Sequence, residues 1–473
     1  MRRRVVVTGA GALSPVADSP AGLHAALSEG KSGLKSVELF AADGVGPRLA
    51  GEVRPFEPKE YLGEKNLRPV DRTSRLLLVA ATRALEASGW SAEARTGREV
   101  GLVVGTIFCS VKTIAEFDRR GLQLGPSHAS PMDFANSVIN AAAGQAAIWH
   151  GLSGVNSTIA QGEASGLAAI AYAADMIRLG RADAILAGGV EELCFESFVG
   201  LARAGRLCGG NGSEERPIPF DARRNGFAPA EGAALLMLED AESAAARGAT
   251  VLAEIAGHGA AFDVSRSEED AAGAVARAVR LALEDAGLGP AEIDCLSASA
   301  NGSVAGDRAE ARGVAAALRG RAADLPVSAI KSMLGEALGA SGAFQAAALL
   351  GTFADGVLPG IRGLEETDAG FPLGGVSAKN RNIEARRCLI TAVGADGHCS
   401  ALVLTAPSPP RPSSPTTPPA LPGRGGSKNE KPVFLPSPRE GERGGGRGAG
   451  GEGRVGEGRS KQGGHTGPPL QEI

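Results

Sequence analysis

The sequence predicts an α/β layered fold with buried, mixed sheets, followed by a tail that does not fold. Short runs rich in β-branched residues alternate with alanine-rich helical stretches up to about residue 406. Several strand-like runs follow one another with no helix between them, so the sheets are not purely parallel. Near Pro407 the composition changes to proline, glycine and arginine, with too little apolar surface to offset the entropy of ordering.

In chain order, strands are expected over 5–8, 100–104, 184–186, 233–238, 251–255, 293–297, 327–329, 389–392 and 401–404, because each is a compact β-branched or apolar run. Helices are expected over 74–88, 165–179, 268–286 and 340–354, where alanine and leucine recur at helical spacing. The tail, residues 407–473, carries ten basic and six acidic residues, so it is basic while the body carries the excess acid that leaves the chain at −4. A protease should remove the tail readily, and its loss should leave the melting temperature nearly unchanged. A drop of several degrees in a thermal scan would mean that the tail packs on the body.

Composition also excludes partners. There is no basic block interleaved with aromatics, so nucleic acid is not expected. The apolar run after the three N-terminal arginines stops at Thr8-Gly9, far too short for a signal peptide, and no stretch of about 18 apolar residues crosses a membrane. Six cysteines are scattered without a CxxC pair, which fits a reducing cytoplasm. The six histidines show no metal-ligand spacing, so no metal is expected. Three motifs fail on their own terms. The glycine run after Val5 lacks its third glycine and meets Pro15, Gly30-Lys31-Ser32 lacks the first P-loop glycine, and Ser165 falls one place late for a nucleophile elbow.

A set of ordered motifs carries more. They are Arg3-Arg4-Val5-Val6-Val7-Thr8-Gly9 with Ser14-Pro15, then Phe56, Tyr61-Leu62 and Asp71-Arg72. Gly180-Arg181-Ala182-Asp183, Ala187-Gly188-Gly189-Val190 and Pro219-Phe220-Asp221 through Gly226-Phe227 with Glu231-Gly232-Ala233 follow. Lys331-Ser332-Met333 with Gly335 and Gly339-Ala340 completes them. Together they resemble the β-ketoacyl synthases of fatty-acid and type II polyketide synthesis over nearly the whole body. The resemblance implies a five-layer αβαβα thiolase-like fold with two pseudo-equivalent halves, 1–255 and 256–406. It implies acyl groups carried on a phosphopantetheinyl acyl carrier protein, and no other cofactor. It also implies a dimer, whose face should lie in residues 154–186, where Ala164, Ala168, Ala171 and Ala174 form a small-residue face and Arg178 and Arg181 cap the solvent end.

In that family a cysteine on a helix N-terminus takes the acyl group, favoured as thiolate by the helix dipole and free N–H groups. Two histidines then assist decarboxylation and stabilise the enolate. Aligned on its motifs, this chain has Glu163 at the cysteine position, Ser299 at the first histidine and Glu336 at the second; Lys331 remains. Gln161, on the same turn, stands for a threonine, Ala395 for the phenylalanine of a glycine-rich gate, and Asn301 and Phe227 are further expected tunnel residues. A glutamate acyl anhydride is too labile to await a second substrate, and an anionic Glu336 would repel an enolate. The pattern resembles the cysteine-less chain-length-factor subunit of type II polyketide synthases, though glutamine is usual there. The leading expectation is a subunit without condensing activity, paired with a ketosynthase. The alternatives are an active 3-oxoacyl carrier-protein synthase with a rebuilt site, and an acyl-binding homodimeric pseudoenzyme. A blander alternative makes Glu163 and Glu336 ordinary solvated glutamates.

Overall fold

The computed structural model describes residues 2–407 apart from Arg266. The expected tail lies outside the described residues. Ten strands build the main sheet: β1 Val5–Leu13, β2 Val100–Gly105, β3 Asn156–Ile159, β4 Ala184–Glu191, β5 Gly232–Asp240, β6 Ala253–Phe262, β7 Cys295–Ser297, β8 Val327–Ser328, β9 Arg387–Val393 and β10 His398–Thr405. Their order across the sheet is β8-β7-β9-β10-β6-β1-β5-β4-β2-β3.

That order contains a repeat which the sequence hides. The first five strands lie as β1-β5-β4-β2-β3 and the last five as β6-β10-β9-β7-β8, which is one topology used twice. The pairings agree as well. The first and fifth strands of each half are antiparallel, as are the fifth and fourth, while the fourth, second and third run parallel. The halves join where β1 meets β6 through Val6 and Val7. Residue 255 lies inside β6, so the crossover between halves falls just before that strand, after the helix Ala241–Ala246.

Two helices lie between the halves. Ser165–Arg178 packs against β4, β5 and β2 of the first half and β10 and β6 of the second, and Ser341–Asp355 touches both β5 and β9. They can pack closely between the halves because their buried contact residues are small: Ala169, Ala173 and Ala174 on one helix, Ala343, Ala346 and Ala347 on the other. Gly166 marks the closest approach, since a Cβ there would sit 2.5 Å from the Gly339 carbonyl. Arg72–Ala87 covers the outer face of the first half and Glu268–Ala286 that of the second. The result is the five-layer thiolase-like arrangement.

Every expected strand and helix is present, most of them longer than expected. The strand β3 and the helices Pro20–Ser28, Val111–Leu124, Ala141–His150 and Val304–Leu318 were not anticipated. β3 reads Asn-Ser-Thr-Ile and sits at the sheet edge, where a strand can stay polar. The small-residue face is only partly outward: Ala164 and Ala174 are in the core, and Ala168 and Ala171 are half-buried. Arg178 does not cap a solvent end either. Its side chain is buried, bonded to the carbonyls of Ile255 and Ala256 and paired with Asp285 at 3.2 Å. Among the described residues, no helix is long and apolar enough to cross a membrane.

Candidate functional site

Glu163 sits on the turn that feeds the helix Ser165–Arg178. Gly162, at φ +53, makes the turn possible, and any side chain there would strike the Asp396 carboxylate. Ser165 locks it: its Oγ accepts the Gln161 N–H at 2.8 Å and donates to the Gly162 carbonyl at 2.6 Å. The Glu163 side chain is 3% exposed, so it is not a solvated surface glutamate. One of its oxygens pairs with the Arg206 guanidinium, and the other accepts the Ala395 backbone N–H at 3.1 Å. That N–H lies on the turn Gly394–Gly397 and is occupied by the carboxylate.

Arg206 was not singled out from the sequence. A lone arginine in a loop gives no signal until its partner is known. Its guanidinium lies over the Phe227 ring, 5.2 Å from the centroid. Phe227 itself is buried in the cluster of Phe198, Leu201 and Leu338, so it supports Arg206 from below and does not line a tunnel. Gln161 is held through its backbone on the Glu163 turn.

Glu336 is fully buried. Lys331 Nζ and Asn301 Nδ2 both donate to its Oε2 at 2.7 Å, and the Leu338 N–H at 3.0 Å and the Ser341 hydroxyl at 2.5 Å donate to its Oε1. Burial alone would raise its pKa, but the Lys331 charge and these donors outweigh it, and the carboxyl is held below its ordinary value. Glu336 therefore stays ionised and neutralises Lys331. Lys331 also donates to the Ser299 carbonyl at 2.6 Å, and Ser299 Oγ accepts the Val393 N–H at 3.0 Å. Ser299, Asn301, Lys331 and Glu336 are thus one connected buried network. It is closed on itself, with no imidazole and no thiol in it.

Two cavities flank these residues. One of about 510 Å³ is lined by Phe108, Gly162, Glu163, Arg206, Leu338 and Asp396. The other, about 230 Å³, is lined by Ser299, Asn301, Glu310, Cys399 and neighbours. Arg206 and Ala395 border both, so the Glu163–Arg206 pair stands where they meet. Cys399 is no substitute nucleophile: burial foremost, then Asp263 and Glu310, push its thiol up to about 12. All six cysteines are free and buried.

Burial pushes Glu310 up to about 7, although the Thr391 and Ser299 donors pull the other way. An acid raised in the folded state is favoured in its protonated form. Its stabilising contribution is complete below the unfolded value near 4.5 and is lost as pH rises to about 7. The half-buried His150, lowered to about 4, has the opposite sign below 6.5 and acts alike in wild type and variant. The wild-type protein should therefore lose more stability between pH 5 and 7.5 than Glu310→Gln does. Parallel curves from urea titrations at several pH values would contradict this.

Residues 2–244 match the family model "Beta-ketoacyl synthase, N-terminal domain" and residues 252–365 match "Beta-ketoacyl synthase, C-terminal domain". The chain belongs to the beta-ketoacyl synthase family. This ketoacyl-synthase-family chain is 32% identical over 409 residues to a 3-oxoacyl-[acyl-carrier-protein] synthase 2 of Vibrio harveyi, covering 85% of itself and 98% of the relative. It is 34% identical over 406 residues to the tetracenomycin polyketide synthase ketoacyl synthase beta subunit of Streptomyces glaucescens, covering 85% and 98%. Among solved structures it is similar to the ishigamide ketosynthase/chain length factor, with a TM-score of 0.80 and 30% identity over 86% of this chain and all of that one. Family membership places the chain in carrier-protein-dependent fatty-acid or polyketide biosynthesis.

Proposed function

We propose that this protein is a non-condensing ketosynthase-like subunit that pairs with an active ketosynthase and helps shape the space for a carrier-protein-bound acyl chain. One observation carries the reading. Both replaced positions that should supply a nucleophile and an imidazole hold buried carboxylates, each neutralised by its own cation: Glu163 by Arg206 and Glu336 by Lys331. A carboxylate so paired is a poor nucleophile and a poor proton donor. It also occupies the gate N–H that an oxyanion would need. The likeness to a ketosynthase/chain length factor and to a ketoacyl synthase beta subunit supports the same reading.

Assembly is the positive side of the proposal. The edge strand β3 is paired on one side only. The helix Ala141–His150 adjoins it and presents Ile148, 82% exposed. Leu122 and Phe134 are exposed on the segments that precede this helix. An open edge strand with an exposed apolar side chain on the helix beside it suits pairing with a second chain of the same fold. Light scattering should find a dimer, and a mixed dimer when a ketosynthase with an intact cysteine is co-expressed. A stable monomer in both samples would overturn the partner-subunit reading.

A further inference from the structure

More carboxyl groups line the cavity beside Ser299 than the cations of the described residues pair with. Four carboxylates line it: Asp263, Glu268, Asp307 and Glu310. Two are satisfied. Glu268 is paired with Arg312 at 2.6 Å and Arg308 at 3.5 Å. Asp307 lies 3.6 Å from Arg224 and accepts the Phe220 and Asn301 N–H groups, both at 3.0 Å. Among the described residues, the other two meet no cation. Asp263, 3% exposed, accepts hydrogen bonds from Ser265. Glu310, 1% exposed, uses one oxygen for the Ser299 N–H and the Thr391 hydroxyl, while its second oxygen has no partner. Of the neighbouring cations, Arg206 and Lys331 are held by Glu163 and Glu336, and Arg277 donates to the Phe262 carbonyl at 3.0 Å.

Buried carboxylates are paired, protonated or bound to a cation. The cavity, at about 230 Å³, is far larger than the roughly 30 Å³ that one water occupies. Among the described residues, no three His, Cys, Asp or Glu side chains converge as a metal site would need. A primary ammonium wants only three acceptors and brings an alkyl body for the apolar remainder of the lining, Ala271, Ala300 and Ala309. We propose that this cavity binds an alkylammonium group, with Glu310 and Asp263 as its acceptors. The inference holds whether or not the chain condenses acyl groups, because it uses none of Glu163, Lys331 or Glu336.

The test is calorimetric titration of the full chain with butylamine, with butanol as the neutral isostere. Butylamine should bind at least tenfold tighter than butanol. Glu310→Gln and Asp263→Asn should each weaken it about tenfold, equivalent to about 1.4 kcal/mol. Ala271→Phe, which fills the cavity and leaves both carboxylates in place, should abolish it. Should Glu310→Gln fail to fold, the other two variants still decide the matter. An ω-aminoacyl pantetheine thioester separates the sources: tighter binding than butylamine assigns the amine to a carrier-borne acyl chain, and equal binding assigns it to a free amine. Equal affinity for butanol, no binding at all, or indifference to every variant would overturn the proposal.

Discussion

Replacing Lys331 by methionine is expected to cost about 3–5 kcal/mol of stability, the usual result of breaking a buried ion pair from one side. The partner left behind, Glu336, has no exposure to solvent. Its other donors, the Asn301 amide, the Leu338 N–H and the Ser341 hydroxyl, are neutral and cannot balance a full charge. Ser299 would also lose the ammonium bonded to its carbonyl. The double variant Lys331→Met/Glu336→Gln should recover most of the loss, because it removes both charges and keeps an acceptor for the remaining donors. Urea unfolding measures both. A loss below about 1 kcal/mol in the single variant, the size expected of an exposed pair, would mean that water reaches this site.

Glu163→Cys separates the two halves of the ancestral chemistry. The change places a thiol at a helix N-terminus, frees the Ala395 N–H and releases Arg206 as a cation beside the new thiolate. Acyl transfer from an acyl carrier protein onto Cys is therefore expected. Condensation is not. Positioned general acid–base groups contribute about 10²–10⁴ in rate, and an oxyanion donor about 10²–10³. Ser299 and the ionised Glu336 supply neither. Product analysis with a malonyl carrier protein should find the acylated variant stalled. Substantial condensation by this single variant would mean that the imidazole positions do not lie at Ser299 and Glu336.

Much of the fold could be read from sequence because its motifs are backbone devices. Gly226, Gly188, Gly189 and Gly339 sit where a Cβ would run into neighbouring backbone, so their place in the motifs is fixed by packing and not by catalysis. The repeated strand order could not be read. The two halves share a topology without sharing residues, and topology is set by packing at long range. The replaced positions were found by counting from those motifs, but their partners were not. Nothing in the sequence near 206 says that its arginine meets residue 163, and the Lys331–Glu336 pairing emerges only once burial is known. Phe227 was misjudged for a related reason. A buried phenylalanine near a site reads the same from sequence whether it lines a tunnel or props an arginine.

Intact-mass analysis of the mixed dimer after exposure to an acyl-loaded carrier protein tests the absence of a nucleophile most directly. The partner ketosynthase should gain one acyl group, and this chain, with Glu163 held by Arg206, should keep its unmodified mass. A stoichiometric acyl adduct on this chain would contradict that reading.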